Sequence, residues 1–286
     1  MTAITTAPPT RVGVAASRSR PTLASPLATL TRRRFALSAR TPREIIVPLM
    51  TPILFATVIA PALAKVAGAV RGLDYMTFVA VGTVGLLVPL SCMFAGIGVI
   101  VDRESGARPD MLAAPVPRSL IVFGNLVVAL TISALQVAAL FVAAVLRGAQ
   151  FDARPTGLAL FAAATFLLAV AMYGAAEILA NRVAKQEEYI GAVPAIAIVP
   201  WFFAGSLFPI AALPSFLGAF AKVLPLTHAL ALMRYGLVDT RATGLHDIWG
   251  MTNVTAMAAL SLAVVALYAT LLIAVSVRVF SRAAVQ

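Results

Sequence analysis

Side chains that could do chemistry are scarce in this chain of 286 residues, and the densest group of them lies in one short stretch. Residues 101–126 read V-D-R-E-S-G-A-R-P-D-M-L-A-A-P-V-P-R-S-L-I-V-F-G-N-L. Three acids (Asp102, Glu104, Asp110) and three arginines (Arg103, Arg108, Arg118) fall within seventeen residues there. Mixed charge beside Met111 and Leu112 suits a modest, partly polar surface for a partner in water. A turn that only set topology would not call for three acids. Elsewhere the chemistry is thin. None of the lysines (Lys65, Lys185, Lys222) belongs to a G-x-x-x-x-G-K-[ST] run, so no phosphate-binding loop for ATP is present. His228 and His246 have no partner at helical i,i+3 or i,i+4 spacing, and no metal site is expected. An intramembrane protease would need Ser91 or Ser206 beside a histidine, but His228 falls among residues expected at the outer surface. No paired-aspartate motif suggests a prenyl- or phospho-transferase.

One acid lies within an apolar segment: Glu177, in Y-G-A-A-E-I-L-A-N-R. At mid-membrane a carboxylate costs about 2.5–3.5 kcal/mol on insertion scales and is a functional candidate by default. Here it is about one turn from the segment's end, where it can reach water or pair with Arg182 or an arginine of the N-terminal tail. A structural part is favoured over one in transport. Asn125 and Gln136 are eleven residues apart, nearly on one helical face. They could line a pathway or hydrogen-bond between helices, and the second is favoured. Tyr189, Trp201 and Tyr235 read as anchors or packing.

The elements that position these residues follow from composition. Hydrophobic residues make up 61% of the chain and charged residues 12%, with a mean hydropathy of +0.96. That excludes a water-soluble globule. The uncharged runs are two to three times the length of a barrel strand and do not alternate, so the expected fold is an all-α membrane bundle. Six spans are expected, near residues 45–64, 76–101, 119–146, 155–180, 189–208 and 248–277. Together they form one six-helix membrane domain, 44–280, followed by a short C-terminus, 281–286. Before it come a disordered basic tail, 1–22, and a helix, 23–43, with Leu23, Leu27, Leu30 and Leu37 on one face. Arg34 breaches that face. The helix reads as amphipathic and interfacial, on an anionic leaflet; a disordered basic tail is the other reading. Thr31-Arg32-Arg33-Arg34-Phe35 resembles a twin-arginine export signal, but Arg40, Arg43 and Glu44 interrupt the apolar region that should follow.

Lysines and arginines number eight in the tail, three in 102–118, two in 181–188 and two at the C-terminus, against seven on the other side. By the positive-inside rule both termini and the charged loop are cytoplasmic, in a multi-pass protein of the inner or plasma membrane. The net charge of +11 is topology rather than a nucleic-acid surface. Cys92, the only cysteine, excludes a disulfide within the chain. The fifth apolar run, 189–221, has no charge for thirty-three residues, about 50 Å as one helix. Pro209 and Pro214 would break it near residue 208. A re-entrant segment before the sixth span is expected, or else an interfacial helix capping the bundle.

Several of these residues form a pattern. Arg103-Glu104-Ser105-Gly106, Met111-Leu112, Ala114-Pro115-Val116-Pro117-Arg118 and Phe123-Gly124-Asn125 together resemble the signature of ABC exporter permeases of the type-2 class. Phe208-Pro209, Leu213-Pro214 and Leu224-Pro225-Leu226-Thr227, with Arg234 following, resemble the family's segment between the fifth and sixth spans. The resemblance covers about residues 25–280 and is nearest the daunorubicin-resistance-like drug and lipid exporters. Asn125 departs from it, because many members carry Lys or Arg there.

The resemblance implies a half-transporter that pairs with a second permease copy and two separate ATP-binding subunits. ATP and Mg would then be used by those subunits, with no cofactor on this chain. The 102–118 loop (Arg103, Glu104, Gly106, Arg108, Met111, Leu112, Pro115, Pro117, Arg118) would be the coupling helix. Arg32, Arg33, Arg34 and Phe35 of the N-terminal helix would add a second contact. Pro209, Pro214, Pro225 and Arg234 mark the re-entrant segment. Gly82, Gly85, Gly96 and Gly98, with Glu177, are the candidate pathway residues. An apolar path suggests hydrophobic or amphipathic cargo such as a drug, antibiotic or lipid. The family's polysaccharide exporters are the alternative within the class; an intramembrane enzyme or a membrane anchor for a cytoplasmic partner are those outside it.

Overall fold

The computed structural model describes residues 24–39, 50, 53–67, 69–70, 73–113, 116–152 and 154–283. The tail 1–22, Arg40, Arg43, Glu44 and Pro115, along with part of the first expected span, lie outside the described residues. In chain order the elements are α1 (Ala24–Ala39), a π-helical turn (Phe55–Ile59), α2 (Ala60–Ala67), β1 (Ala69–Val70) and β2 (Leu73–Asp74). Then come α3 (Tyr75–Ala95), α4 (Ile97–Glu104), α5 (Ala107–Ala113), α6 (Arg118–Leu146), α7 (Pro155–Ala180) and α8 (Gln186–Phe203). After a 3₁₀ turn (Ile210–Ala212) follow α9 (Ser215–Ala221), α10 (Pro225–Leu237), α11 (Thr243–Trp249) and α12 (Val254–Ala283). The two short strands pair antiparallel, Ala69 opposite Asp74, as a hairpin before α3.

Among the described residues four helical stretches are long and apolar enough to cross a membrane: Tyr75–Glu104, Arg118–Leu146, Pro155–Ala180 and Val254–Arg282. The pair α9 and α10, bent by 81°, makes a fifth when counted as one span. This is a helical membrane bundle. α8 falls short because polar Gln186, Glu187 and Glu188 occupy its first turn, where the charge of the two glutamates suits the helix N-terminus.

α7 is the hub, packed against α12, α10, α3 and α6. Two glycines permit this. Gly157 meets the backbone of Gly236 in α10, and a Cβ on Gly174 would press on Leu272 and Ile273 of α12. α3 is mostly buried, whereas α12 keeps Leu260, Leu267 and Leu271 on the outside, as a hydrocarbon-facing helix does. Asp74 starts α3 by accepting from the Thr77 N–H at 3.0 Å.

Two span ends differ from the expected ones. α8 stops at Phe203, five residues before the expected break, because Gly205 takes φ +81° and turns the chain ahead of Pro209. The last long helix begins at Val254 rather than near 248, since Gly250 (φ +65°) ends the separate helix α11.

Candidate functional site

The charged loop does not stand free of the bundle. The stretch Tyr75–Glu104 is interrupted at Gly96, and α4 carries Asp102 and Arg103 to its end, where Gly106 (φ +74°) turns the chain into α5. Asp102 is buried. It accepts from Arg33 Nη2 at 3.2 Å and lies 3.8 Å from Arg34 Nη1, so α1 is tied to α4. Arg33 also reaches Met111 Sδ at 3.2 Å, which holds α5 to the same helix. The arginine that breaches the apolar face of α1 therefore points inward for a reason. Gly98 leaves a notch in α4, and the Arg34 guanidinium fills the place a Cβ would take.

Arg103 faces the other way. It donates to the carbonyls of Ala180 (3.1 Å), Val183 (2.8 Å) and Ala184 (2.9 Å), at and just beyond the C-terminus of α7. Helix-end carbonyls lack intrahelical partners and carry the negative end of the macrodipole, so one guanidinium satisfies both needs. Arg108 donates to Asn181 Oδ1 at 2.9 Å and sits over the Phe280 ring at 4.9 Å, joining α5 to the start of the α7–α8 turn and to α12. Burial lowers the Arg108 pKa; the nearby Glu177 opposes that shift and Arg103 adds to it. Arg118 donates to the Ser281 carbonyl at 2.9 Å.

Glu177 closes the network. It is fully buried, accepting from Tyr173 Oη at 2.7 Å and from Asn181 Nδ2 at 3.1 Å. Asn181 must donate to the carboxylate through its NH₂, because Arg108 can only donate and so takes the amide oxygen. The cations that face Glu177 are Arg108 and Arg34; Arg182 is exposed and takes no part. A relay thus runs Arg108–Asn181–Glu177–Tyr173 and joins α5 to α7. On α7 the three residues recur at intervals of four, one face of the helix. That spacing was the sequence signal for Tyr173 and Asn181, neither of which the sequence analysis singled out. Gln136 also bonds between helices, to Ser91.

The expected loop residues therefore divide. Arg103, Arg108, Met111 and Leu112 turn toward the bundle, the last two packed against its core. Glu104, Ser105, Gly106, Pro109, Pro117 and Arg118 lie exposed. On α1, Arg33 and Arg34 join the network, Arg32 is exposed, and Phe35 is half-buried beside an apolar groove with Leu27 and Val127.

The four candidate pathway glycines all face neighbours in this same chain. Gly82 meets the Ser206 carbonyl and Arg234, Gly85 meets Leu230, Gly96 meets the Tyr189 hydroxyl, and Gly98 meets Arg34. Tyr189 and Trp201 seal two of these contacts, donating to Met93 O (2.6 Å) and Gly82 O (2.8 Å).

Arg234 organises the opposite end of the bundle. Its guanidinium donates to Gly205 O (2.6 Å) and Ser206 O (2.8 Å) and stacks 3.5 Å over the Phe78 ring. The break after α8 is thereby pinned to α3. Pro209 and Pro214 precede the 3₁₀ turn and α9, and Pro225 opens α10 at its first position, where a missing N–H costs nothing.

His228 is buried rather than at a surface, with Nδ1 3.2 Å from Ser261 Oγ and Nε2 2.9 Å from Lys222 O. A carbonyl only accepts, so Nε2 carries the proton and Nδ1 accepts from Ser261. Ser261 is fully buried and also receives Trp249 Nε1–H at 2.8 Å. The pair ties α10, α11 and α12 together rather than presenting a nucleophile. Among the described residues no group of His, Cys, Asp and Glu could hold a metal ion.

The family described as ABC-2 type transporter has a model that matches residues 26–238, from α1 through the Arg234 helix. Among curated proteins none matches the chain.

Proposed function

Because the chain belongs to the ABC-2 type transporter family, we propose that it is the membrane subunit of an ATP-driven exporter whose ATP-binding subunits are separate chains. It is a multi-pass permease of that type. In our reading the tip at Glu104, Ser105 and Gly106 contacts the ATP-binding subunit, on the cytoplasmic side, with α1 as a second contact. A second permease copy completes the transporter, and the cargo is hydrophobic or amphipathic.

One observation carries this reading: the tip is exposed while its base is tied to α1 and to the ends of α7 and α12. Arg33 and Arg34 bond it to α1, Arg103 to the end of α7, Arg108 to Asn181 and the Phe280 ring, and Arg118 to the end of α12. A displacement of the tip by a partner is therefore delivered at once to α1, α7 and α12. A loop that only joined two helices would need none of these bonds. The two buried acids of the described spans are both satisfied, Asp102 by Arg33 and Arg34 and Glu177 by Tyr173 and Asn181, which supports an apolar cargo over an ion.

The test is purification of the tagged full chain in mild detergent, wild type beside Glu104→Arg. Glu104 is exposed and has no bonded partner among the described residues, so the substitution leaves the fold intact. A P-loop ATPase that copurifies with wild type and is lost from Glu104→Arg, at equal membrane insertion, supports the reading. Equal retention on both moves the contact away from the tip, and no ATPase with either removes the two-subunit proposal.

A further inference from the structure

At the end of the bundle opposite the charged loop, a small cavity of about 30 Å³ lies between the break after α8, the α10 helix and α11. Ala204, Gly205, Thr227, Arg234, Asp239 and Asp247 are among the residues that line it. Four buried side-chain polar atoms among the described residues have no hydrogen-bond partner, and two of them belong to residues that line this cavity: Arg234 Nε and Thr227 Oγ1. Their residues are at most 7% exposed. Unsatisfied buried polar atoms are costly and rare, so two on the wall of one cavity point to a shared ligand.

Size and charge select that ligand. A cavity needs about 10–15 Å³ per water by this measure, so the space holds two or three. It is far below the roughly 300 Å³ of a drug-sized site. Arg234 disfavours a cation, while Asp239 and Asp247 on the same wall disfavour an anion. What remains is small, neutral, and able both to donate and to accept. Asp239 has acceptor capacity to spare: its Oδ2 receives Thr243 N and Oγ1 at 2.6 Å each, but Oδ1 receives only Arg241 N at 3.2 Å.

We propose that this cavity is a built hydration site whose two or three resident waters bridge Arg234 Nε and Thr227 Oγ1 to the α11 acid Asp239. The waters join α10 and the break after α8 to α11, and they complete the solvation of a guanidinium otherwise met only by carbonyls and the Phe78 ring. The inference is independent of the transport reading.

Two measurements on the purified full chain test it. Thr227→Val is nearly isosteric and gives opposite signs. If the hydroxyl anchors a water, its loss lowers Tm; if the cavity is dry, removing an orphaned hydroxyl raises Tm. The second is hydroxyl-radical footprinting with short X-ray pulses, which generates radicals from bound water in place. Ile210 and Ile248 line the cavity and are each 7% exposed, whereas Leu230 and Leu232 are fully buried away from it. The isoleucines should label at least about fivefold faster than the leucines, and Thr227→Val should reduce that excess. A raised Tm, or isoleucines no faster than the leucines, overturns the proposal. A Tm that shifts when chloride is replaced by gluconate overturns it in favour of an anion.

Discussion

Replacing Gly98 by alanine places a methyl group where the Arg34 guanidinium sits. The obstruction is the far end of a flexible side chain, so α4 keeps its place and the arginine must leave. What is lost is the approach to Asp102, 3.8 Å away with the two side chains 16% and 9% exposed, together with the nearby Glu177 charge. Exposed pairs contribute about 0–1 kcal/mol and breaking a buried one costs about 3–5 kcal/mol, so this half-buried pair is placed at about 1–3 kcal/mol. Against it stands a gain of about 0.5–1 kcal/mol for replacing a helical glycine by alanine. Gly98→Ala should therefore destabilise wild type by roughly 0–2.5 kcal/mol, taking the loss less the gain. In an Arg34→Ala background nothing occupies the notch, and the same change should stabilise by about 0.5–1 kcal/mol. The assay is unfolding of the four purified proteins in detergent, read as a double-mutant cycle. The sign of the Gly98→Ala effect should reverse between backgrounds. Additivity within about 0.5 kcal/mol, or stabilisation in wild type, would refute the notch.

Three further outcomes follow from the same contacts. Arg103→Ala releases the carbonyls of Ala180, Val183 and Ala184 and should cost about 1–3 kcal/mol, with faster tryptic cleavage at Arg182 and Lys185; Arg103→Lys should recover less than half, lacking the fork. Arg234→Met leaves the Gly205 and Ser206 carbonyls without their charged donor and should lower stability by about 3–5 kcal/mol in thermal unfolding. Gly157→Ala meets the rigid backbone of Gly236 and should cost about 1–3 kcal/mol, while Gly191→Ala, with open space around it, should be neutral or stabilising on the same assay.

Much of the fold was legible because insertion is a local sum. Each apolar residue adds its own transfer free energy, so residues 119–146 and 155–180 announce two spans whatever their neighbours do. The charged loop was equally plain, since six charges in seventeen residues contrast with uncharged flanks. The orientation of its residues was not. Met111 and Leu112 read in sequence as apolar contact for a partner; in the fold they are partly buried against the core, with Arg33 of α1 reaching the Met111 sulfur. The break in the fifth run was expected at its prolines, but Gly205 turns first. A proline shows its constraint in sequence, whereas a glycine only permits a conformation that packing must then select.

By itself, then, the sequence determined the class, the long spans, the charged loop and the family resemblance, all of which depend on residue type within one local window. Only the tertiary structure decided that Arg34 enters a notch at Gly98, that Arg103 caps the end of α7, that Glu177 is held by Tyr173 and Asn181, and that Arg234 grips the break after α8. Most of these pairings join residues dozens of positions apart. Each buried charge required a partner, and which group lay within reach depended on how the helices packed.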